Sequence, residues 1–359
     1  MDSDRAVVDA RGCARALFAL WYGPHMRLLV TGGAGYIGTH LIVDLLAAGH
    51  EIVVVDNFST GHPRALARAE RIGGRRCTLL RGDVGDRVLM RRAMRGIDAV
   101  FHLAAFKDIG GSVDEPERFF LNNVGGMAVL LWAMQQSGVR RIVYASSAAV
   151  YGTQSEVPIS EDAPLRPESP YGVSKVEGER MLEVMARLRG WSAVSLRFFN
   201  PVGAHPSGLL GEPPGSNASL VPRALLAGED RPLTLFGTDY PTPDGTGLRD
   251  YIHICDLSRA HLAALDLLHA PGHQALNIGT GRPHSVREVL AACAAAVGHA
   301  IPVVDGPRRL GDVAVSLADP RCFERSTGFR ATLSLTSMVD STWTWLNKHR
   351  LPAAELVAS

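Results

Sequence analysis

The chain has 359 residues, 46% of them apolar and 20% charged, and its 37 Lys and Arg against 36 Asp and Glu leave a formal charge of +1. These proportions are globular and exclude disordered and fibrous classes; near-neutrality excludes a broad field aimed at a phosphate backbone, so no nucleic-acid partner is expected. No apolar run reaches the roughly 18 residues that span a bilayer, so no membrane partner is expected, and the scattered cysteines contain no CxxC, which disfavours metal and disulfide frameworks and fits a reducing compartment.

Residues 1–25 carry Arg5, Arg11 and Arg15 ahead of ALFALWYG. That stretch is short and bulky and lacks a small-residue cleavage site, so the expectation is an N-terminal extension outside the fold, which begins at Met26. RLLVT (27–31) reads as a strand and is followed by a helical pattern with Ile37, Leu41, Leu45 and Leu46 on one face, ending near Gly49. EIVVV (51–55), CTLLRGDV (77–84), IDAVFHLAA (97–105), RRIVYASS (140–147) and WSAVSLRFF (191–199) repeat the strand theme. Continuous apolar, β-branched runs imply strands covered on both faces, as in parallel sheets. Helices are predicted near 86–95, 114–137 and 170–189. The alternation predicts an α/β fold, a Rossmann-type doubly wound parallel sheet with right-handed crossovers, over residues 26–200.

After Asn200 the texture changes. Residues 201–217 and 237–247 are rich in Pro and Gly and read as loops. Helices are predicted near 219–228, 256–269, 285–298 and 335–348, with strands near 233–236, 275–279 and 301–304. Residues 201–350 therefore read as a smaller C-terminal α/β substrate domain, some of whose segments, such as 249–270, rejoin the first.

TGGAGYIG (31–38) lies between a strand and a helix, the context a dinucleotide-binding turn requires. Gly32 and Gly35 permit the tight turn and close approach of a diphosphate, Gly38 lets the helix pack on the strand, and Tyr36 and Ile37 complete the turn. The diphosphate would lie at the helix N-terminus, where free N–H groups and the dipole favour an anion. Asp56 ends the second strand, where a carboxylate can accept from both ribose hydroxyls and repels a 2′-phosphate; this favours NAD, with Asn57 beside it. The nearby Arg64 keeps NADP open. Asp83 and Val84 end the third strand and are placed beside the adenine, although Asp83 also suits a turn in GDVGD.

Tyr171 and Lys175 form YxxxK after the helix starter Pro170, and the i, i+4 spacing puts both on one face. A free phenol has a pKa of about 10 and is a poor base at neutrality; an adjacent ammonium and a cationic nicotinamide would both favour the phenolate. Ser147, at the end of its strand, can bond the same substrate oxygen. Together these residues predict a proton- and hydride-transfer site.

These motifs, with NNV (122–124), SPYGVSK (169–175), RFFNPVGAHPSG (197–208), FGTDYPTPDGTGLRDYIH (236–253) and RRLGD (308–312), make the chain from Met26 to about residue 348 similar to the UDP-glucose 4-epimerase branch of the extended short-chain dehydrogenase/reductase family. The resemblance implies bound NAD, a UDP-sugar substrate, interconversion of UDP-galactose and UDP-glucose through a transient 4-keto sugar, a cytoplasmic enzyme, and a homodimer built on the helices near 114–137 and 170–189. It implies no metal. It makes Tyr171 the base and acid at the sugar 4-hydroxyl, Ser147 its assistant, and Lys175 the partner of the nicotinamide ribose. It places Lys107 and Asn123 at the cofactor's diphosphate and ribose. Asn200, Ser219, Leu220, Arg249 and Arg309 would contact the substrate, the arginines near its diphosphate, where a planar fork offers paired donors. Asp312 would bond the uridine ribose, and Leu235 and Phe236 would lie beside uracil.

Some positions depart from the family pattern: Ala149 stands where Thr is common, Ser219 replaces an Asn, and Ser316 stands at a pocket wall where restricted epimerases carry Tyr. A small residue at 316 implies room for a 2-acetamido group, hence UDP-GlcNAc and UDP-GalNAc. Ala148 and Ala149 cannot move protons, which disfavours 4,6-dehydratases and decarboxylases. An epimerase of UDP-xylose or UDP-arabinose, and a non-catalytic dinucleotide sensor on the same fold, stay open.

Overall fold

The computed structural model describes residues 25–215, 218–309 and 311–349. The expected extension at 1–24 lies outside the described residues. The first half alternates strands and helices: β1 (Arg27–Thr31), α1 (Tyr36–Ala47), β2 (Glu51–Asp56), α2 (Pro63–Gly73), β3 (Thr78–Arg81), α3 (Arg87–Ala93), β4 (Ala99–His102), α4 (Gly126–Ser137), β5 (Arg141–Ala145), α5 (Pro170–Arg189) and β6 (Ser192–Phe198). The apolar runs pair in parallel, and a late strand, β10 (Gly272–Ile278), joins beside β6, giving the order β10-β6-β5-β4-β1-β2-β3. The order reverses between β1 and β4, and in open α/β sheets ligands bind outside the strand C-termini at that point.

Both faces are covered, as the apolar runs demand. Leu28 and Val30 point into one core with Leu41, Leu45 and Leu46 of α1, while Leu29 points into the other with Met127, Leu130 and Met134 of α4. The period-2 alternation of a strand thus feeds two separate cores from one five-residue segment.

The second half differs from its sequence reading in its small strands. β7 (Asn200–Val202) pairs in parallel with β9 (Leu248–His253), which also pairs with β11 (Pro283–Ser285) and β13 (Val315–Ser316). Strands as short as β7, β11 and β13 carry no periodic signal, and their partners lie far away in sequence. The strand expected over 233–236 is present as β8 (Leu233–Phe236), and it pairs with β12 (Val303–Gly306), the strand expected near 301–304. The helix after β9, Ile254–Ala263, packs on α1 of the first half.

Two helical expectations need correction. The helix read over 114–137 is broken into Ile109–Asp114, Pro116–Phe119, a π-turn over Phe120–Gly125, and α4. Pro116 starts a new turn because it has no N–H to give. The helix α2 was missed although its period was present in the sequence: Leu66 and Ala69, three residues apart, are buried on one face behind a Pro at its first turn.

Candidate active site

The turn between β1 and α1 has little freedom. Gly32 sits at φ +70°, and a Cβ there would lie 2.7 Å from the Ala104 nitrogen. A Cβ on Gly38 would overlap the Gly32 carbonyl oxygen and lie 2.7 Å from Gly33 Cα, so glycine is needed for the helix to meet the strand. Gly35 is different: its Cβ would meet only the Gly32 oxygen, at 3.3 Å, so the side it faces is otherwise free of protein atoms within 4 Å. No side chain caps the first N–H groups of α1. This is a cradle into which an anion fits.

Asp56 is buried at the end of β2. Its Oδ2 accepts from Ala34 N and its Oδ1 from Phe58 N, each at 2.8 Å, so each oxygen keeps a lone pair for a ribose hydroxyl. Asn57 donates to Asp83 Oδ2 (2.8 Å), and Asp83 Oδ1 accepts from Gly85 N (2.7 Å); Asp83 is therefore a turn residue as well as a neighbour of Asn57. Val84 is buried against Gly126. Ile37 is half-buried, and Tyr36 reaches across the molecule to donate to the Gly203 carbonyl (2.6 Å).

Ser147 follows β5 and accepts from Ala149 N (3.2 Å). Ser169 caps α5, accepting from Gly172 N (3.1 Å), and Pro170 supplies its first position. Tyr171 and Lys175 are both buried. Lys175 Nζ donates to the Ala145 carbonyl (2.8 Å) and lies 4.9 Å from the Tyr144 ring and 5.7 Å from the Tyr171 ring. Burial holds the Tyr171 phenol above its ordinary value, with the Ser147 hydroxyl pulling the other way. Burial also brings Lys175 down to about 7, opposed by Glu179. The dry surroundings that bring the two groups together penalise charge on either one.

Asn123 lies in the π-turn, buried. Its oxygen accepts from Phe106 N (2.9 Å) and Asn122 Nδ2 (2.9 Å), and its nitrogen donates to Phe106 O (3.1 Å) and Ser174 Oγ (3.0 Å). It clamps the loop after β4 to α5, between Tyr171 and Lys175. Lys107, on that loop, pairs with the buried Glu212 at 2.9 Å, and Ser219 donates to the same carboxylate. Glu212 drew no attention in the sequence; an acidic residue in a Pro/Gly-rich loop reads as solvated.

In the second half Asn200 donates to the Asp250 carbonyl (3.0 Å). Leu235 is buried and Phe236 half-buried on β8, and the Arg309 guanidinium lies 4.8 Å from the Phe236 ring. Asp312 sits between two cations, 2.9 Å from Arg309 Nε and 3.8 Å from Arg249. Ser316 on β13 pairs in register with Arg249 on β9 and is half-buried; Leu220 opens a short helix, Leu220–Leu225, and is half-buried too. The buried Asp250 was also missed: it accepts from Thr280 N and Gly281 N and ties β9 to the end of β10. Its only signal was its place in the long 236–253 motif.

Among the described residues no cluster of three or more His, Cys, Asp or Glu is placed to hold a metal, and no helix is long and apolar enough to cross a membrane. The model of the NAD dependent epimerase/dehydratase family matches residues 28–279. The UDP-glucose 4-epimerase of Neisseria meningitidis serogroup C is 43% identical over 331 residues, covering 90% of this chain and 98% of that protein. That of Bacillus subtilis (strain 168) is 43% identical over 327 residues, covering 89% and 96%. Among solved structures, UDP-glucose 4-epimerase from Bifidobacterium longum in complex with NAD+ and UDP is similar at TM-score 0.87 and 42% identity, covering 90% of this chain and 99% of that one.

Proposed function

The chain belongs to the NAD dependent epimerase/dehydratase family, and from that premise we propose that it is a UDP-glucose 4-epimerase, an NAD-dependent isomerase interconverting UDP-galactose and UDP-glucose. The observation that carries this reading is the buried Tyr171–Lys175 pair with Ser147 against Tyr171, at the C-terminal edge of a sheet whose first turn is a diphosphate cradle. Residues 26–200 hold the cofactor and 201–350 the UDP-sugar, with 249–270 returning to the first unit.

The Gly32–Gly38 turn and the N–H groups opening α1 would hold the cofactor's diphosphate, and Asp56 its adenosine ribose. Bound NAD supplies the acceptor for the C4 hydride and the donor that returns it. Tyr171 takes the O4 proton as the hydride leaves and gives it back to the inverted alcohol, with Ser147 sharing the same oxygen. Lys175 bonds the nicotinamide ribose and favours the phenolate. Burial raises the Tyr171 pKa, so the positive charge of a bound oxidised nicotinamide would add to that of Lys175 in favouring the phenolate. Arg249 and Arg309 exchange Asp312 for the substrate diphosphate and leave that carboxylate to the uridine ribose. Leu235 and Phe236 flank uracil.

The test is turnover of UDP-galactose to UDP-glucose by the purified protein with no nicotinamide cofactor added. No product would reject the reading. Deuterium at C4 is expected to stay in the product; washout to solvent would reject the path. Ser316, half-buried beside Arg249, favours a second activity on UDP-GlcNAc and UDP-GalNAc; a panel of UDP-hexoses, UDP-N-acetylhexosamines and UDP-pentoses decides it, and the absence of turnover of acetylated sugars would exclude it. The enzyme acts in the cytoplasm in this reading and is a homodimer, for which the exposed Leu121 (76%) beside α4 and Leu188 (66%) on α5 offer apolar surface; a monomer by sedimentation would reject the dimer.

A further inference from the structure

Lys175 is only 3% exposed, and among the described residues its ammonium donates to one neutral acceptor, the Ala145 carbonyl. The groups facing it are His102, which burial keeps neutral, the rings of Tyr144 and Tyr171, and Glu179 one helical turn further along α5. Of these, Glu179 is the one carboxylate, four residues and one helical turn along from Lys175, and its negative charge favours the protonated amine.

Glu179 is itself buried, and it joins the elements that carry the site. Ser146, the residue before Ser147, donates to its Oε1 at 2.5 Å. Arg197 on β6 donates through Nε to Oε1 (3.0 Å) and through a terminal nitrogen to Oε2 (2.7 Å). Arg197 is gripped from the far side by the Tyr151 hydroxyl (2.9 Å) and the Glu161 carbonyl (3.1 Å). His273 on β10 also faces the carboxylate and is kept neutral by burial. A buried ion pair is weak evidence of stability, because desolvation offsets much of the Coulomb gain. Its location, one turn from Lys175 and one residue from Ser147, is the informative feature.

We propose that Glu179 is a positioning residue for proton transfer at Tyr171, keeping the Lys175 side chain an ammonium and fixing the strand end that presents Ser147. This rests on the epimerase reading. In the working site one proton is shared between Lys175 and Tyr171 and must rest on the lysine. Without the carboxylate that proton passes to the phenolate oxygen, leaving a neutral amine and a neutral phenol, with none exchanged with solvent. The phenolate then forms only at higher pH.

The experiment titrates the near-ultraviolet absorbance of the phenolate in the holoenzyme, read as the difference from Tyr171→Phe, alongside the pH profile of kcat. Glu179→Gln moves both midpoints to higher pH by about one unit, which costs about tenfold in kcat on the acid side with KM little changed. Glu179→Gln also leaves Arg197 buried without its carboxylate, so Glu179→Gln with Arg197→Gln replaces the ion pair by a neutral pair and keeps an upward shift. Arg197→Gln alone leaves the carboxylate unopposed and shifts the midpoint downward. A wild-type midpoint in any folded variant overturns the proposal, as does failure of all of them to fold, since the pair is then a structural tie. The absorbance titration needs no turnover, so its outcome is separate from the epimerase reading, which wild-type activity decides.

Discussion

In the proposed reading, the dinucleotide cradle and the substrate half recognise their ligands in opposite ways. At the cradle the backbone does the work: Gly32 and Gly38 are fixed by contacts that no Cβ could share, and the N–H groups opening α1 have no side-chain cap. In the proposed substrate half charged side chains are already engaged, Asp312 by Arg249 and Arg309, and Glu212 by Ser219 and, from the first half, Lys107. A ligand entering the first region meets a formed surface. One entering the second must exchange partners, so part of its binding energy goes into breaking ion pairs. The first region should therefore fail through geometry and the second through charge.

The largest effect tests the point where the regions meet. Tyr171→Phe keeps the ring that packs in the site and removes the proton carrier. A fall in kcat of about a thousandfold is expected, within the range for a positioned acid-base group, with an unchanged melting temperature. A variant that keeps full turnover would show that the buried phenol is a packing residue.

Next is Gly38→Ala. The added methyl meets backbone, which cannot swing aside as a side chain does, so β1 and α1 must separate. A loss of about 2–3 kcal/mol is expected, together with loss of co-purifying NAD. Unchanged stability and cofactor content would mean that the turn is softer than its contacts imply.

The pattern of what could be read from the sequence follows the same division. The cradle was legible because its constraints are local: a strand, glycines at fixed spacing and a helix lie within a dozen residues, and Asp56 ends the next strand. Tyr171 and Lys175 were legible for the same reason, being one turn apart on one helix. The partners of the substrate half were not, because Lys107 meets Glu212 across 105 residues and Tyr36 meets Gly203 across 167. Glu179, four residues past Lys175, was not singled out; only the fold brings Arg197 and Ser146 to it.

The seam between the halves gives a third effect, of similar size. His40 on α1 and His253 at the end of β9 are kept neutral by burial, at about 3 and about 4 against an ordinary 6.5. The unfolded chain takes up these protons as pH falls below 6.5 and the folded chain does not, so the stability they contribute is complete above that value and is lost toward pH 4. The slope is about 1.4 kcal/mol per histidine per pH unit once below 6.5. Asp44, raised by burial to about 6, acts in the opposite sense, since the folded chain takes up its proton first and regains stability below that pH. The histidines outnumber it, so the melting temperature should fall between pH 7 and pH 5. A flat profile would mean that the seam opens to water.

The smallest effect separates charge from geometry most cleanly. Arg309 is 55% exposed in its side chain, and exposed ion pairs contribute little to stability. Arg309→Ala should therefore leave the melting temperature and bound cofactor unchanged. It removes a paired donor to the substrate diphosphate, worth about 1.4 kcal/mol or more when charge-assisted, so KM for UDP-galactose should rise about tenfold. Because the diphosphate is remote from C4 and is held equally before and during hydride transfer, kcat should not move. A fall in kcat at constant KM would place Arg309 in the chemistry. A loss of stability would mean that its pairing with Asp312 holds the second half together, and the contrast with the cradle would then fail, because charge in that half would be serving geometry.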